Sequence, residues 1–176
     1  AAMAGEEAVA WPRSLAGVSE RELRGAETLL LKSRGISDAD CGVLAPFLAQ
    51  NTALRELYIG YNAFGDEGSK LLCEALAKAA AGDEGQRLRL LGLRRCRLGD
   101  AAAQAVAELI RSSPSLEEVG VDENQIGDAG AEALAAAAAE SGSLRDLYVG
   151  SNSIGEAGEA KLRAVCRPGI RVHFRR

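Results

Sequence analysis

The sequence predicts an α/β array of stacked strand–turn–helix units. Three observations carry this: near-identical stretches at a regular period, a strand-like alternation inside each, and an alanine- and leucine-rich segment after each. The stretches are Leu54-Arg-Glu-Leu-Tyr-Ile-Gly-Tyr-Asn-Ala-Phe-Gly, Leu88-Arg-Leu-Leu-Gly-Leu-Arg-Arg-Cys-Arg-Leu-Gly, Leu116-Glu-Glu-Val-Gly-Val-Asp-Glu-Asn-Gln-Ile-Gly and Leu144-Arg-Asp-Leu-Tyr-Val-Gly-Ser-Asn-Ser-Ile-Gly. A weaker copy opens at Ala26 and ends at Arg34-Gly-Ile36. Starts at 26, 54, 88, 116 and 144 give three intervals of 28 residues and one of 34. Self-similarity at such a period marks a fold in which no unit buries its apolar face alone. That points to a surface for another macromolecule rather than a catalytic pocket.

Each unit justifies its elements in turn. Apolar residues at positions four and six (Leu57 and Ile59, Leu91 and Leu93, Val119 and Val121, Leu147 and Val149) alternate as a short half-buried strand does. Position nine is Asn62, Cys96, Asn124 or Asn152, and the buried amides are expected to form a ladder of backbone hydrogen bonds. Position eleven is Phe64, Leu98, Ile126 or Ile154, followed by glycine. An acid comes next (Asp38, Asp66, Asp100, Asp128, Glu156), where helix caps and the positive helix end favour it. Leu44, Leu72, Val106, Leu134 and Leu162 then recur, with Leu48, Leu76, Ile110, Ala138 and Cys166 four residues on, as one buried helical stripe.

The pattern L-x-x-L-x-L-x-x-(N/C)-x-(L/I/F)-G-(D/E), repeated from residue 26 to about 174, resembles the leucine-rich repeat in its ribonuclease-inhibitor-like subtype. The resemblance implies a right-handed βα solenoid, its parallel sheet on the concave side and its helices on the convex side. It also implies an intracellular protein that binds other proteins through exposed strand positions. Residues 1–25 are expected to cap the array, with Trp11 in that cap. Five repeats span 26–168, and residues 169–176 form a capping strand and basic tail. Arg34 departs from the asparagine pattern, and residues 78–86 hold the extra length, with Gly82-Asp-Glu-Gly as a surface loop.

Composition narrows the function classes. The 176 residues suffice for one domain and its core, with 47% hydrophobic and 26% charged residues. A net charge of -4 gives no basic excess for nucleic acid, and the longest apolar run, Ala133 to Ala139, is too short to insert in a membrane. Cys41, Cys73, Cys96 and Cys166 lack paired spacing and are read as free buried thiols, which favours a reducing compartment. The cytoplasm is favoured, with an organelle reached by a removed targeting peptide as the other option. No phosphate loop or metal-ligand spacing occurs and His173 stands alone, so neither an enzyme nor a cofactor is expected.

Positions two, three, five, seven and eight are expected to face concave solvent. Row five reads Leu30, Tyr58, Gly92, Gly120, Tyr148, so two tyrosines flank a glycine floor, a notch about 15 Å across at a strand spacing of about 4.8 Å. Tyr61 stands beside Tyr58, and tyrosine is enriched at binding hot spots. Arg89, Arg94 and Arg95 are expected to lie against Glu117, Asp122 and Glu123 of the next unit. That strip either neutralises itself or orients a partner by charge. The arginines at 163, 167, 171, 175 and 176 read as a solvated end. Three functions stay open: a protein-binding module using Tyr58, Tyr61, Arg89, Arg94, Arg95, Asp122, Glu123 and Tyr148; a structural subunit or assembly factor of a larger complex; and a regulator of a GTPase.

Overall fold

The computed structural model describes residues 11–81 and 87–174. Six three-residue strands form one parallel sheet in chain order: β1 (Thr28–Leu30), β2 (Glu56–Tyr58), β3 (Leu90–Gly92), β4 (Glu118–Gly120), β5 (Asp146–Tyr148) and β6 (Arg171–His173). Helices α2 (Asp38–Gln50), α3 (Asp66–Ala80), α4 (Asp100–Ser112), α5 (Asp128–Glu140) and α6 (Glu156–Ala164) connect successive strands and lie side by side behind the sheet. The strand order follows the chain because each βα unit adds one strand beside the last. This is the α/β solenoid that the repeat period predicts.

The alternation decides which face is buried. Positions four and six are at most 2% exposed in all four well-matched units, as are positions one, and the helical stripe from Leu44 to Leu162 is sealed. Each such leucine contributes about 1.5–3 kcal/mol relative to an exposed one. One continuous cluster runs from Leu15 to Leu162, so every unit is stabilised by its neighbours. Before the first strand, a short 3-10 turn (Arg13–Leu15) and helix α1 (Glu20–Gly25) add Leu15, Val18 and Leu23 to that cluster. Trp11 meets Phe47 edge-on at 5.7 Å and donates through Nε1 to the Leu15 carbonyl at 3.1 Å.

Two polar ladders tie the units together. Asn124 accepts from the Cys96 and Leu98 amides at 2.8 and 3.1 Å, and donates to the Leu93 and Val121 carbonyls at 3.0 and 2.8 Å. Asn62 does the same for Arg34, Ile36, Leu31 and Ile59 two units earlier. The second ladder adds a role to the acids, which stand in the first turn of their own helices as expected. Asp100 reaches the next helix, accepting from the Gly127 and Gly130 amides at 2.7 and 3.0 Å. Asp38, Asp66 and Asp128 act alike on α3, α4 and α6, whose N-cap glycines offer no side chain of their own.

Other departures have simple causes. Cys166 is exposed rather than buried, because α6 ends at Ala164 and leaves the thiol beyond the helical stripe. The long unit spends part of its extra length on α3, which has 15 residues where α4 and α5 have 13; the Gly82 loop lies outside the described residues.

Candidate functional site

The sheet face away from the helices assembles row five in register. Leu30, Tyr58, Gly92, Gly120, Tyr148 and His173 are Cα partners across all six strands. Tyr58 and Tyr148 are each half-buried, and three strand steps put them about 15 Å apart. Gly92 and Gly120 contribute no side chain to the floor between them, where a Cβ at Gly92 would touch Tyr58 Cδ1 at 3.6 Å and one at Gly120 would touch Asp122 Oδ2 at 3.7 Å. Each ring has an outer neighbour. Lys32 Nζ sits 4.8 Å from the Tyr58 ring centroid, and His173 stacks on Tyr148 at 4.3 Å with an 11° tilt.

Row three runs beneath this row: Thr28, Glu56, Leu90, Glu118, Asp146 and Arg171. Asp146 is satisfied by a bidentate Arg171 at 2.8 and 2.7 Å and by His173 Nε2 at 2.8 Å. The Arg171 hydrogen bonds hold its carboxyl below the ordinary 3.8. Glu118 moves the other way: burial, then the adjacent Asp146 charge, raises its carboxyl above 4.5. Burial pushes the Tyr58 and Tyr148 hydroxyls up, with Glu56, by charge and a hydrogen bond, the next cause at Tyr58 and the Glu118 carboxylate the next at Tyr148.

The charged strip forms, with two corrections. Arg89 pairs with Glu117 at 2.9 Å as expected. Arg94, however, takes Glu123, and both Arg94 and Arg95 lie over Tyr61, their guanidinium carbons 5.3 and 6.0 Å from the ring centroid. Asp122 does not face solvent: it is 3% exposed, and Arg94 Nε approaches its carboxylate at 4.0 Å. One backbone feature accompanies both. Position eight has positive φ in every unit (Ser33, Tyr61, Arg95, Glu123 and Ser151, at 54–58°), which turns the chain there; position seven is buried at Gly60, Asp122 and Gly150 but exposed at Lys32. A Cβ on Gly60 would come within 2.8 Å of the Arg94 carbonyl. Tyr61 and Arg95 therefore rim the face, 37% exposed in the case of Tyr61.

Sequence reasoning missed His173 and Arg171 as members of this face. The last strand lacks the full repeat pattern, but its strand-like Ile170–Phe174 alternation was signal enough to extend rows three and five by one residue each. Of the arginines expected to form a solvated end, Arg171 is engaged on the sheet and Arg163 pairs with Glu159; Arg175 and Arg176 lie outside the described residues. On the helical side, α3 and α4 leave a groove of about 580 Å³ floored by Ala77, Ala101, Ala105 and Leu109. Among the described residues no group of histidine, cysteine and acidic side chains is arranged to hold a metal ion. Nor is any helix long and apolar enough to cross a membrane.

Fold and face define a class: a stacked βα repeat presenting a parallel strand surface. A family model for the leucine-rich repeat matches residues 50–73 and 112–135. Ribonuclease inhibitor of Sus scrofa is 34% identical over 98 residues, 56% of this chain and 20% of that protein. The "NACHT, LRR and PYD domains-containing protein 12" of Homo sapiens is 35% identical over 97 residues, 55% of this chain and 9% of that protein. The chain thus spans a fifth or less of the length of these curated relatives. Among solved structures, the tropomodulin C-terminal domain of Caenorhabditis elegans superposes with a TM-score of 0.61 at 18% identity, covering 78% of this chain and 83% of that one. A leiomodin-1 domain superposes with a TM-score of 0.61 at 11% identity, covering 79% and 78%. The chain folds as a leucine-rich-repeat solenoid, and its repeats are similar to those of ribonuclease inhibitor.

Proposed function

We propose that this chain is a non-catalytic protein-binding module that receives its partner on the concave strand face between Tyr58 and Tyr148. The observation that carries the reading is the in-register tyrosine–glycine–glycine–tyrosine row, aromatic walls over a glycine floor. Aromatic anchors beside a recess are where binding energy concentrates. The polar rim of Tyr61, Arg89, Arg94, Arg95 and Glu123 surrounds the notch and suits the outer ring of such an interface. Asp122 serves it indirectly, by anchoring Arg94. The ribonuclease inhibitor's name describes action on an enzyme, a protein-directed role that supports the class of function without identifying a partner here. A reducing intracellular compartment suits three free thiols in the core.

Capture of co-purifying proteins by the tagged chain tests this. The double substitution Tyr58→Ala and Tyr148→Ala is expected to abolish capture while the Tm stays within a few degrees, since both rings stand outside the core. Substitution along the α3–α4 groove, Gln104→Arg with Ala105→Glu, is expected to leave capture intact. The reverse pattern would assign docking to the helical side and favour the structural-subunit reading. Reversal of Arg89, Arg94 and Arg95 to glutamate is expected to weaken capture; unchanged capture removes the strip from the interface.

A further inference from the structure

Glu118 is a carboxylate of the concave face with no ion-pair partner among the described residues. Glu118 lies on β4 two residues before Gly120, so its side chain shares the face with the glycine floor and the tyrosine walls. Its neighbours in row three are Leu90 on one side and Asp146 on the other, neither a cation. Of the nearby cations, Arg171 and His173 are held by Asp146 and Arg89 by Glu117, while Arg145 lines the same recess without pairing with Glu118. Among the described residues no basic nitrogen comes within ion-pairing distance of the Glu118 carboxylate. The strand order sets Glu118 on β4, between the strands that carry Tyr58 and Tyr148.

Burial and the adjacent Asp146 charge raise the half-buried Glu118 carboxyl, His173 opposes them in part and Glu56 adds to them, so an arriving cation improves its field. The inward faces of Tyr58 and Tyr148 add the electron-rich surface that attracts ammonium and guanidinium groups. Each outer side is already occupied, by Lys32 and His173, so the remaining approach is over the glycines. A side chain entering there meets no Cβ from Gly92 or Gly120, and beside Gly120 it passes the Asp122 carboxylate.

Building on the concave reading, we propose that the notch over Gly92 and Gly120 receives a cationic side chain of the partner, an arginine or lysine, paired with Glu118 between Tyr58 and Tyr148. The contact is a charge-assisted hydrogen bond formed as the recess is covered, and it sets which partner segments are accepted.

The test uses the intact chain and three capped pentapeptides, glycine at every position except a central arginine, lysine or citrulline. Amide shifts of Glu118, Gly92 and Gly120 are followed by NMR. The arginine and lysine peptides are expected to give saturable shifts at those amides, with citrulline, which keeps the shape and loses the charge, about tenfold weaker or absent. Glu118→Gln is expected to reduce both cationic peptides to the citrulline level, and Gly120→Val to block all three. Equal binding of citrulline, unaltered binding by Glu118→Gln, or no saturable shift up to about 20 mM peptide would each overturn the proposal. If that happens while Tyr58→Ala with Tyr148→Ala still abolishes partner capture, the concave face stands and only its cationic occupant falls.

Discussion

Asn124 shows how much one side chain holds in this array. Its amide closes two backbone donors and two acceptors in two successive units, all buried. Asn124→Ala leaves them unpaired, so urea unfolding should show a loss of at least about 2 kcal/mol. Asp100→Ala should act on its neighbour: hydrogen exchange at Gly127 and Gly130 is expected to accelerate, while the start of α4 stays protected by Asp66. Faster exchange at the start of α4 instead would return the acid to its own helix. The face carboxylates have opposite pH signatures. Asp146 is depressed, so its contribution is present above the ordinary carboxylate range and fades as pH falls through its lowered value. Glu118 is raised, so its contribution is present at low pH and is lost as pH rises through that raised value. Thermal melts from pH 3 to 7 should therefore show Asp146→Asn flattening the acid-side loss, and Glu118→Gln no less stable than the parent at pH 7. A destabilised Glu118→Gln protein at pH 7 would mean that the folded state already pairs this charge.

Elements were legible where local periodicity determines them and illegible where one unit acts on another. Positions four and six announce each strand because burial alternates with the pleat. The acids stand at the start of their own helices, and sequence spacing shows only that near helix end. The amides they bind lie 27 to 36 residues onward, a distance set by the stacking of units. The burial of Asp122 was hidden for a related reason: the left-handed residue beside it at position eight is a backbone property that Tyr, Arg, Glu and Ser share here without a common side chain. The glycines record how closely helices approach. A Cβ on Gly130 would come within 2.7 Å of Asp100 Oδ1 and 2.8 Å of the Ala103 Cβ, whereas one on Gly142 would meet nothing within 4 Å. Gly130→Ala should thus cost about 1–3 kcal/mol in chemical denaturation and Gly142→Ala close to none. Equal effects would show that α4 and α5 are not pressed together as described. At the equivalent place α4 has Ala102, whose amide lies 3.2 Å from Asp66 Oδ1, and the open groove flanks that same helix pair.

The whole molecule follows from units that cannot stand alone. One apolar cluster crosses all of them, so unfolding should expose the core thiols together. Burial raises the Cys73 thiol to about 12 and Cys96 to about 11, and lifts Cys41 as well, whereas Cys166 is exposed. Titration with a thiol-reactive dye should give one fast equivalent, lost in Cys166→Ser, and three that appear only on denaturation. More than one fast thiol in the native protein would break the continuous core. With the interior committed to stacking, recognition is left to the outer faces, and the strand side carries the aligned aromatic walls. Hydrogen exchange of the chain with and without its captured partner tests this most directly. Protection is expected over residues 56–61, 89–95, 117–123 and 145–150, with α3, α4 and α5 unchanged. Protection concentrated on those helices, with the strands exchanging as in the free chain, would contradict it.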